Sequence, residues 1–150
     1  MDKSVNNDLF SIVSNLMNIN DIELVNYSPL TFAYIGDAIY EVAVRTVVVC
    51  DANMSVNKLH KNSTKFVKAE SQAKIILTLI ENDELTEEEI AVYKRGRNAK
   101  SYSKAKNASY AEYRTATGFE ALIGYLYLSK QTERMMEIIN KGIEIIDNNN

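Results

Sequence analysis

Two carboxylates stand where ionised groups are costly. Asp37 lies within Tyr34-Ile35-Gly36-Asp37-Ala38-Ile39, and Glu120 is the sole charge in Gly118-Phe119-Glu120-Ala121-Leu122-Ile123-Gly124-Tyr125-Leu126-Tyr127-Leu128. An ionised acid in such company calls for a cation, a metal ion or a cleft. Each also stands beside glycine, which in a helix interior costs about 1 kcal/mol against alanine. Close approach of another backbone, or of a ligand, is the expected reason. If the two segments are helices packed face to face, Asp37 and Glu120 meet. Oxygen ligation by one or two carboxylates, completed by water and a substrate phosphate, suits magnesium. A structural pairing of the acids with Arg45, Arg114 or the Thr117 hydroxyl is the other reading these residues allow. Glu41, one turn beyond Asp37, has Arg45 at the spacing of an ordinary helical ion pair.

A second chemistry is phosphate contact. From Ile90 to Ala111 the chain carries Lys94, Arg95, Arg97, Lys100, Lys104 and Lys106 and no acid, although the protein's net charge is −3. Asn98, Ser101, Tyr102, Ser103 and Asn107 interleave hydrogen-bonding groups with these cations, a mixture suited to phosphate and sugar contacts. A second basic stretch, Lys58, His60, Lys61, Lys65 and Lys68, can extend the same surface. A merely solvated charge run is the alternative. Other chemistries lack material. One His and one Cys leave neither a zinc cluster nor a Cys-His nucleophile pair, and the five glycines form no G-x-G loop.

The elements that must position these residues read as helices. Leu9, Ile12, Val13 and Leu16 repeat at helical spacing. Ser28 with Pro29 marks a start, and the spacing predicts a long helix from there to about Val49, apolar on almost every face and therefore central. Ser55 can cap a short basic helix and Ser63 the next, which carries Phe66, Val67, Ala73, Ile76 and Ile80. Thr86 and Glu89 form a capping box for a helix reaching about Arg95, followed by a loop from Gly96 to about Ala108. A long apolar helix from about Ser109 to Ser129 and an amphipathic one from Thr132 complete the chain.

Composition agrees with an all-α protein. Five Gly and one Pro are too few to punctuate a β-sandwich or barrel. At 150 residues, 46% hydrophobic and 25% charged, one packed domain over residues 1–150 is expected. Cys50, within Val47-Val48-Val49-Cys50, reads as a buried structural thiol and fits a reducing compartment. The first residues lack a basic region followed by an apolar stretch, and no segment offers an uncharged run of membrane length. A soluble cytoplasmic protein with no membrane partner is expected.

The acidic motifs are familiar as a set. Tyr34-Ile35-Gly36-Asp37-Ala38 resembles the signature of the ribonuclease III catalytic domain, and Phe119-Glu120-Ala121-Leu122-Ile123-Gly124 resembles its second acidic motif. Arg95-Gly96-Arg97-Asn98-Ala99-Lys100-Ser101, with Leu59-His60-Lys61 before it and Tyr113-Arg114 after it, is similar to the compact Mini-ribonuclease III branch, which lacks the C-terminal double-stranded-RNA-binding domain. The resemblance covers about residues 28–147.

It implies an all-helical ribonuclease III endonuclease-domain bundle, a homodimer, and magnesium-dependent hydrolysis of double-stranded RNA to 5′-phosphate and 3′-hydroxyl ends. Asp37 and Glu120 would be catalytic and hold the metal. His60, Lys61, Lys94, Arg95, Arg97, Asn98, Lys100, Lys104, Lys106 and Arg114 would bind RNA. The implied substrate is the precursor of large-subunit (23S) ribosomal RNA, with a ribosomal protein as a further partner to be tested. The sequence departs from the fuller family pattern at Ala33 and Thr117, where larger members carry acids. Two carboxylates would then supply most of the hold on the metal. A non-catalytic RNA-binding domain of the same fold, acting in ribosome assembly, is the alternative; retention of both acids favours the enzyme.

Overall fold

The computed structural model describes residues 8–100 and 109–148. Among them are seven α-helices, α1 (Leu9–Leu16), α2 (Pro29–Asp51), α3 (Val56–Val67), α4 (Ala69–Glu81), α5 (Glu87–Asn98), α6 (Tyr110–Leu128) and α7 (Thr132–Asp147), with a short 3₁₀ turn at Leu24–Asn26 and no strand. The all-α expectation holds. Lys104 and Lys106, with Ser101, Tyr102, Ser103 and Asn107, lie outside the described residues.

Local chemistry sets most helix starts. The Ser28 hydroxyl accepts from the Leu30 amide with Pro29 at the first helical position, and Thr86 and Glu89 form the reciprocal capping box. Ser109 and Glu112 form a second such box at the start of α6. With so few glycines, α1, α4 and α6 instead turn through Asn18, Asp83 and Lys130, all at positive φ. In each case an amide just beyond reaches back to a carbonyl of the last turn, as Gln131 does to Leu126 at 2.9 Å.

Three expectations change. Ser63 caps nothing: it is buried within a continuous α3, so Phe66 and Val67 belong to α3, and Lys68 separates α3 from α4. α5 continues through Gly96, Arg97 and Asn98 instead of ending near Arg95. Cys50 is exposed, because α2 buries only the stripe Phe32, Ala33, Gly36, Tyr40, Val44 and Val48. The opposite side leaves Tyr34 82% and Val42 57% exposed, so α2 is central to the chain's core on one face only.

α2 and α6 cross at the centre, and α4, α5 and α7 pack around α6. Tyr40, Phe119, Leu122, Ile123, Leu126, Ile75, Ile76, Leu79, Ile138 and Ile139 fill the core. Tyr40 meets Phe119 edge to face at 5.2 Å. Arg134 on α7 grips both carboxylate oxygens of Glu89 at 2.8 and 2.9 Å and donates to the Glu84 carbonyl at 2.8 Å. This fixes the start of α5 against α7, and the Arg134 guanidinium holds the Glu89 carboxyl below its ordinary pKa.

Candidate active site

The crossing of α2 and α6 requires glycine. A β-carbon on Gly36 would overlap the carbonyl oxygen of Glu120 and lie 2.7 Å from the amide nitrogen of Gly124. One on Gly124 would overlap the carbonyl oxygen of Phe32. The two backbones touch, and the residues next to the contact are Asp37 on α2 and Glu120 on α6. Gly118 serves a different neighbour, since its β-carbon would strike the Tyr93 ring of α5.

The carboxyl groups of Asp37 and Glu120 lie within hydrogen-bonding reach of each other. Their environments differ. Asp37 is exposed, contrary to what its apolar flanks suggest, and the desolvated acid is Glu120. Burial, then the Asp37 charge and hydrogen bond, push the Glu120 carboxyl up to about 8, with Glu41 adding a smaller repulsion. The opposing influence is structural and close by: the Gln72 side-chain amide, on α4, donates to Glu120 Oε2 at 3.3 Å.

The partners that the sequence offered for the acids, Arg45, Arg114 and Thr117, are engaged elsewhere. Arg45 pairs with Glu41 at 3.1 Å on an exposed face. Arg114 donates to the Arg97 carbonyl at 2.9 Å and to Asn98 Oδ1 at 3.3 Å. The Thr117 hydroxyl donates to the Tyr113 carbonyl at 3.0 Å, and Ala33 is buried apolar surface. None of these reaches the acid pair. Among the described residues neither carboxylate has an ion pair, and no three His, Cys, Asp or Glu side chains gather as a metal cluster. Two adjoining carboxylates without a counter-ion are a donor set that a hard divalent cation fits, with water and phosphate oxygens completing its shell.

Gln72 was not foreseen from the sequence. Its only signal is an amide on the face of α4 that also carries Ile75, Ile76 and Leu79, all buried; a polar side chain there must find a partner inside.

The basic residues border this pair from two sides. Gly96 packs where a β-carbon would lie 2.6 Å from that of Ala121 and 3.0 Å from the Gly118 Cα, so the cationic end of α5 crosses α6 beside Glu120. Lys94, Arg95, Asn98 and Lys100 are exposed there, while Arg97 and Arg114 are half-buried. Arg97 lies 5.5 Å from the Tyr93 ring centre and Arg114 5.6 Å from that of Tyr110. Arg114, Arg97 and Asn98 thus also knit the end of α5 to the start of α6. On the other side, His60 and Lys61 are exposed on α3. His60 shares with Glu41 and Arg45 the lining of a cavity of about 210 Å³ between α2 and α3.

Comparison with known proteins gives a consistent result. The Ribonuclease III domain family matches residues 30–131. The chain is 47% identical to the Mini-ribonuclease 3 of Staphylococcus aureus over 85% of its own length and 94% of that protein. It is also 47% identical to the Mini-ribonuclease 3 of Enterococcus faecalis, over 81% and 92% respectively. Among solved structures, a crystal structure of a Fusobacterium nucleatum protein superposes with a TM-score of 0.72 at 32% identity, covering 82% of this chain and 98% of that one.

Proposed function

The chain belongs to the ribonuclease III family, within its Mini-ribonuclease 3 members, and from that premise we propose that Asp37 and Glu120 form the hydrolytic centre of a magnesium-dependent enzyme maturing large-subunit (23S) ribosomal RNA precursor. That it is an endoribonuclease follows from the family. The family acts on double-stranded RNA, and the arrangement of cations on this chain supports the same substrate here. The observation that carries the site assignment is the meeting of two carboxylates at a glycine crossing with, among the described residues, no cationic side chain paired to either.

Asp37 and Glu120 would hold the magnesium ion, which when bound would neutralise charge building on the phosphate and lower the pKa of a water. The chain's own residues do the rest. Asp37, exposed, faces the solvent from which a duplex must approach. Glu120, half-buried, accepts a hydrogen bond from Gln72. Arg95 and Lys100 on one side and His60 and Lys61 on the other would take the phosphate backbone. A duplex read in this way is recognised by shape and 2′-hydroxyls, since its deep major groove does not admit side chains. One catalytic domain over residues 1–150 accounts for all these residues.

The exposed apolar face of α2 favours a homodimer. Tyr34, Ala38 and Val42 follow one another at helical spacing on that face and remain in water in a single chain. Among the described residues no helix is long and apolar enough to cross a membrane, and a cytoplasmic site of action is the one that brings the enzyme to ribosomal RNA.

The deciding experiment incubates the purified protein and its Asp37→Asn and Glu120→Gln variants with duplex RNA and magnesium, and measures cutting and binding in parallel. Loss of cutting with binding kept is expected for both variants. Binding without cutting by the parent protein would make it an RNA-binding domain of the same fold.

A further inference from the structure

The end of α3 is held by an unusual amount of side-chain chemistry. A helix leaves its last carbonyls without intrahelical donors, and here three consecutive ones are met by side chains from other helices. Ser71 Oγ donates to the Lys65 carbonyl at 2.5 Å, the Tyr40 hydroxyl to that of Phe66 at 2.9 Å, and Gln72 Nε2 to that of Val67 at 2.8 Å. Two of these donors stand beside the acid pair. Tyr40 lies one turn from Asp37 and packs on Phe119, the neighbour of Glu120. Gln72 also donates to Glu120 itself.

Gln72 is 3% exposed. The two groups its amino nitrogen meets, the Val67 carbonyl and the Glu120 carboxylate, are both acceptors, so the orientation of the amide is dictated. That orientation leaves Oε1 buried with no hydrogen-bond partner among the described residues. Native proteins satisfy nearly all such atoms. A side chain serving only to end α3 would need one donor; this one commits its amino group to two acceptors.

We infer that Gln72 is a positioning residue that fixes the Glu120 carboxylate in the geometry for cation binding by tying it to the capped end of α3. The inference rests on Asp37 and Glu120 being the metal site. Gln72 touches neither substrate nor metal; it acts through Glu120, as hydrogen-bonding partners of ligating groups do at metal sites generally. It also links the acid to the helix that presents His60 and Lys61, so the carboxylate and one side of the basic surface share a rigid anchor.

The test is calorimetric titration of the RNA-free protein with manganese ion alone, alongside single-turnover and steady-state cleavage of a duplex. Gln72→Met keeps the length of the side chain and removes both donors. It is expected to weaken manganese binding and lower kcat by roughly ten- to a hundredfold, the usual effect of losing such a partner, with KM for duplex RNA within about twofold of the parent. Ser71→Ala is the structural control: it strips an adjacent carbonyl of its donor without touching Glu120, and should leave manganese affinity and kcat unchanged. Should Gln72→Met fail to fold, Gln72→Asn, an amide one methylene too short to span both acceptors, is expected to weaken manganese binding in the same way.

Manganese affinity and kcat within about twofold of the parent in the Gln72 variant, or an equal loss in Ser71→Ala, would overturn the positioning role while leaving the site assignment in place. Unchanged manganese affinity in Glu120→Gln would overturn the site assignment and this inference with it.

Discussion

Gly36 and Gly124 bring the two central helices together, and a β-carbon on the first would stand 2.7 Å from the backbone nitrogen of the second. The proposed catalytic geometry depends on this contact, since Asp37 and Glu120 flank it. Gly36→Ala gains about 1 kcal/mol in helix propensity but must push one backbone off another, at the upper end of overpacking penalties, about 3 kcal/mol. A net loss of about 2 kcal/mol in urea denaturation is expected, with cleavage falling further than stability because the acids separate. A variant as stable and active as the parent would mean that the helices are not locked here.

The glycines show how much of the site the sequence made readable. Gly36 beside Asp37, and Gly124 one turn past Glu120, are visible because a helix interior otherwise avoids glycine, and they point to the right pair of helices. Gly96 misleads for the same reason. It reads as a helix end, yet α5 runs through it because α6 approaches there against Ala121 and Gly118, a tertiary contact with no local signature. Ser28-Pro29 and Thr86-Glu89 are legible because capping is local chemistry. Ser63 has the right residue type for a cap but sits inside α3, buried. Gln72 escapes notice, since one amide in an amphipathic helix forms no pattern. Cys50 reads as buried because the apolar surface of α2 exceeds what one chain covers.

Removing either acid should separate chemistry from binding. Asp37→Asn and Glu120→Gln each keep shape and lose charge. A metal site contributes several kcal/mol of transition-state stabilisation, and a loss of about 4 kcal/mol is a thousandfold in rate. Single-turnover cleavage is expected to fall by about that factor with duplex affinity within a few-fold. A variant cutting at the parent rate would remove that residue from the site.

The half-buried Glu120 carboxyl makes stability depend on pH. Unfolded, Glu120 ionises near its ordinary 4.5; folded and metal-free, only near about 8. Between these values the folded chain keeps the proton that the unfolded chain has lost, so rising pH favours unfolding. Thermal unfolding in the presence of a chelator should show this contribution as a declining Tm from about pH 5 to about pH 8. Glu120→Gln, neutral throughout, should flatten the decline, and magnesium should reverse it by favouring the ionised form. The same slope in parent and Glu120→Gln would contradict the raised pKa of the Glu120 carboxyl.

The basic residues divide by what already holds them. Arg95 and Lys100 are exposed and without an ion pair among the described residues, whereas Arg114 is bound to the Arg97 carbonyl. Each phosphate that a protein no longer neutralises lowers the slope of log affinity against log salt by about 0.9 on a duplex. Arg95→Gln with Lys100→Gln is expected to reduce the slope by about twice that and leave Tm unchanged. Arg114→Gln is expected to lower Tm as well, since the end of α5 loses its tie to α6. An unchanged salt slope in the double variant would place the RNA elsewhere.

The outer face of α2 provides the remaining test. Tyr34 and Val42 are 82% and 57% exposed, although they lie on the same helix as Asp37 and on the side of it that the chain's own core leaves open. Apolar area of this kind gains about 25 cal/mol per Å² when a partner covers it, and a two-fold partner would present the same stripe in return. Tyr34→Glu places a charge in the middle of such a contact, where desolvation without a partner is costly. Sedimentation velocity at micromolar concentration is expected to show two chains for the parent and one for Tyr34→Glu. Far-ultraviolet circular dichroism should be unchanged, because the residue is outside the core of the single chain. A parent that sediments as one chain at every concentration, or a Tyr34→Glu variant that stays paired, would mean that this face serves something other than self-association.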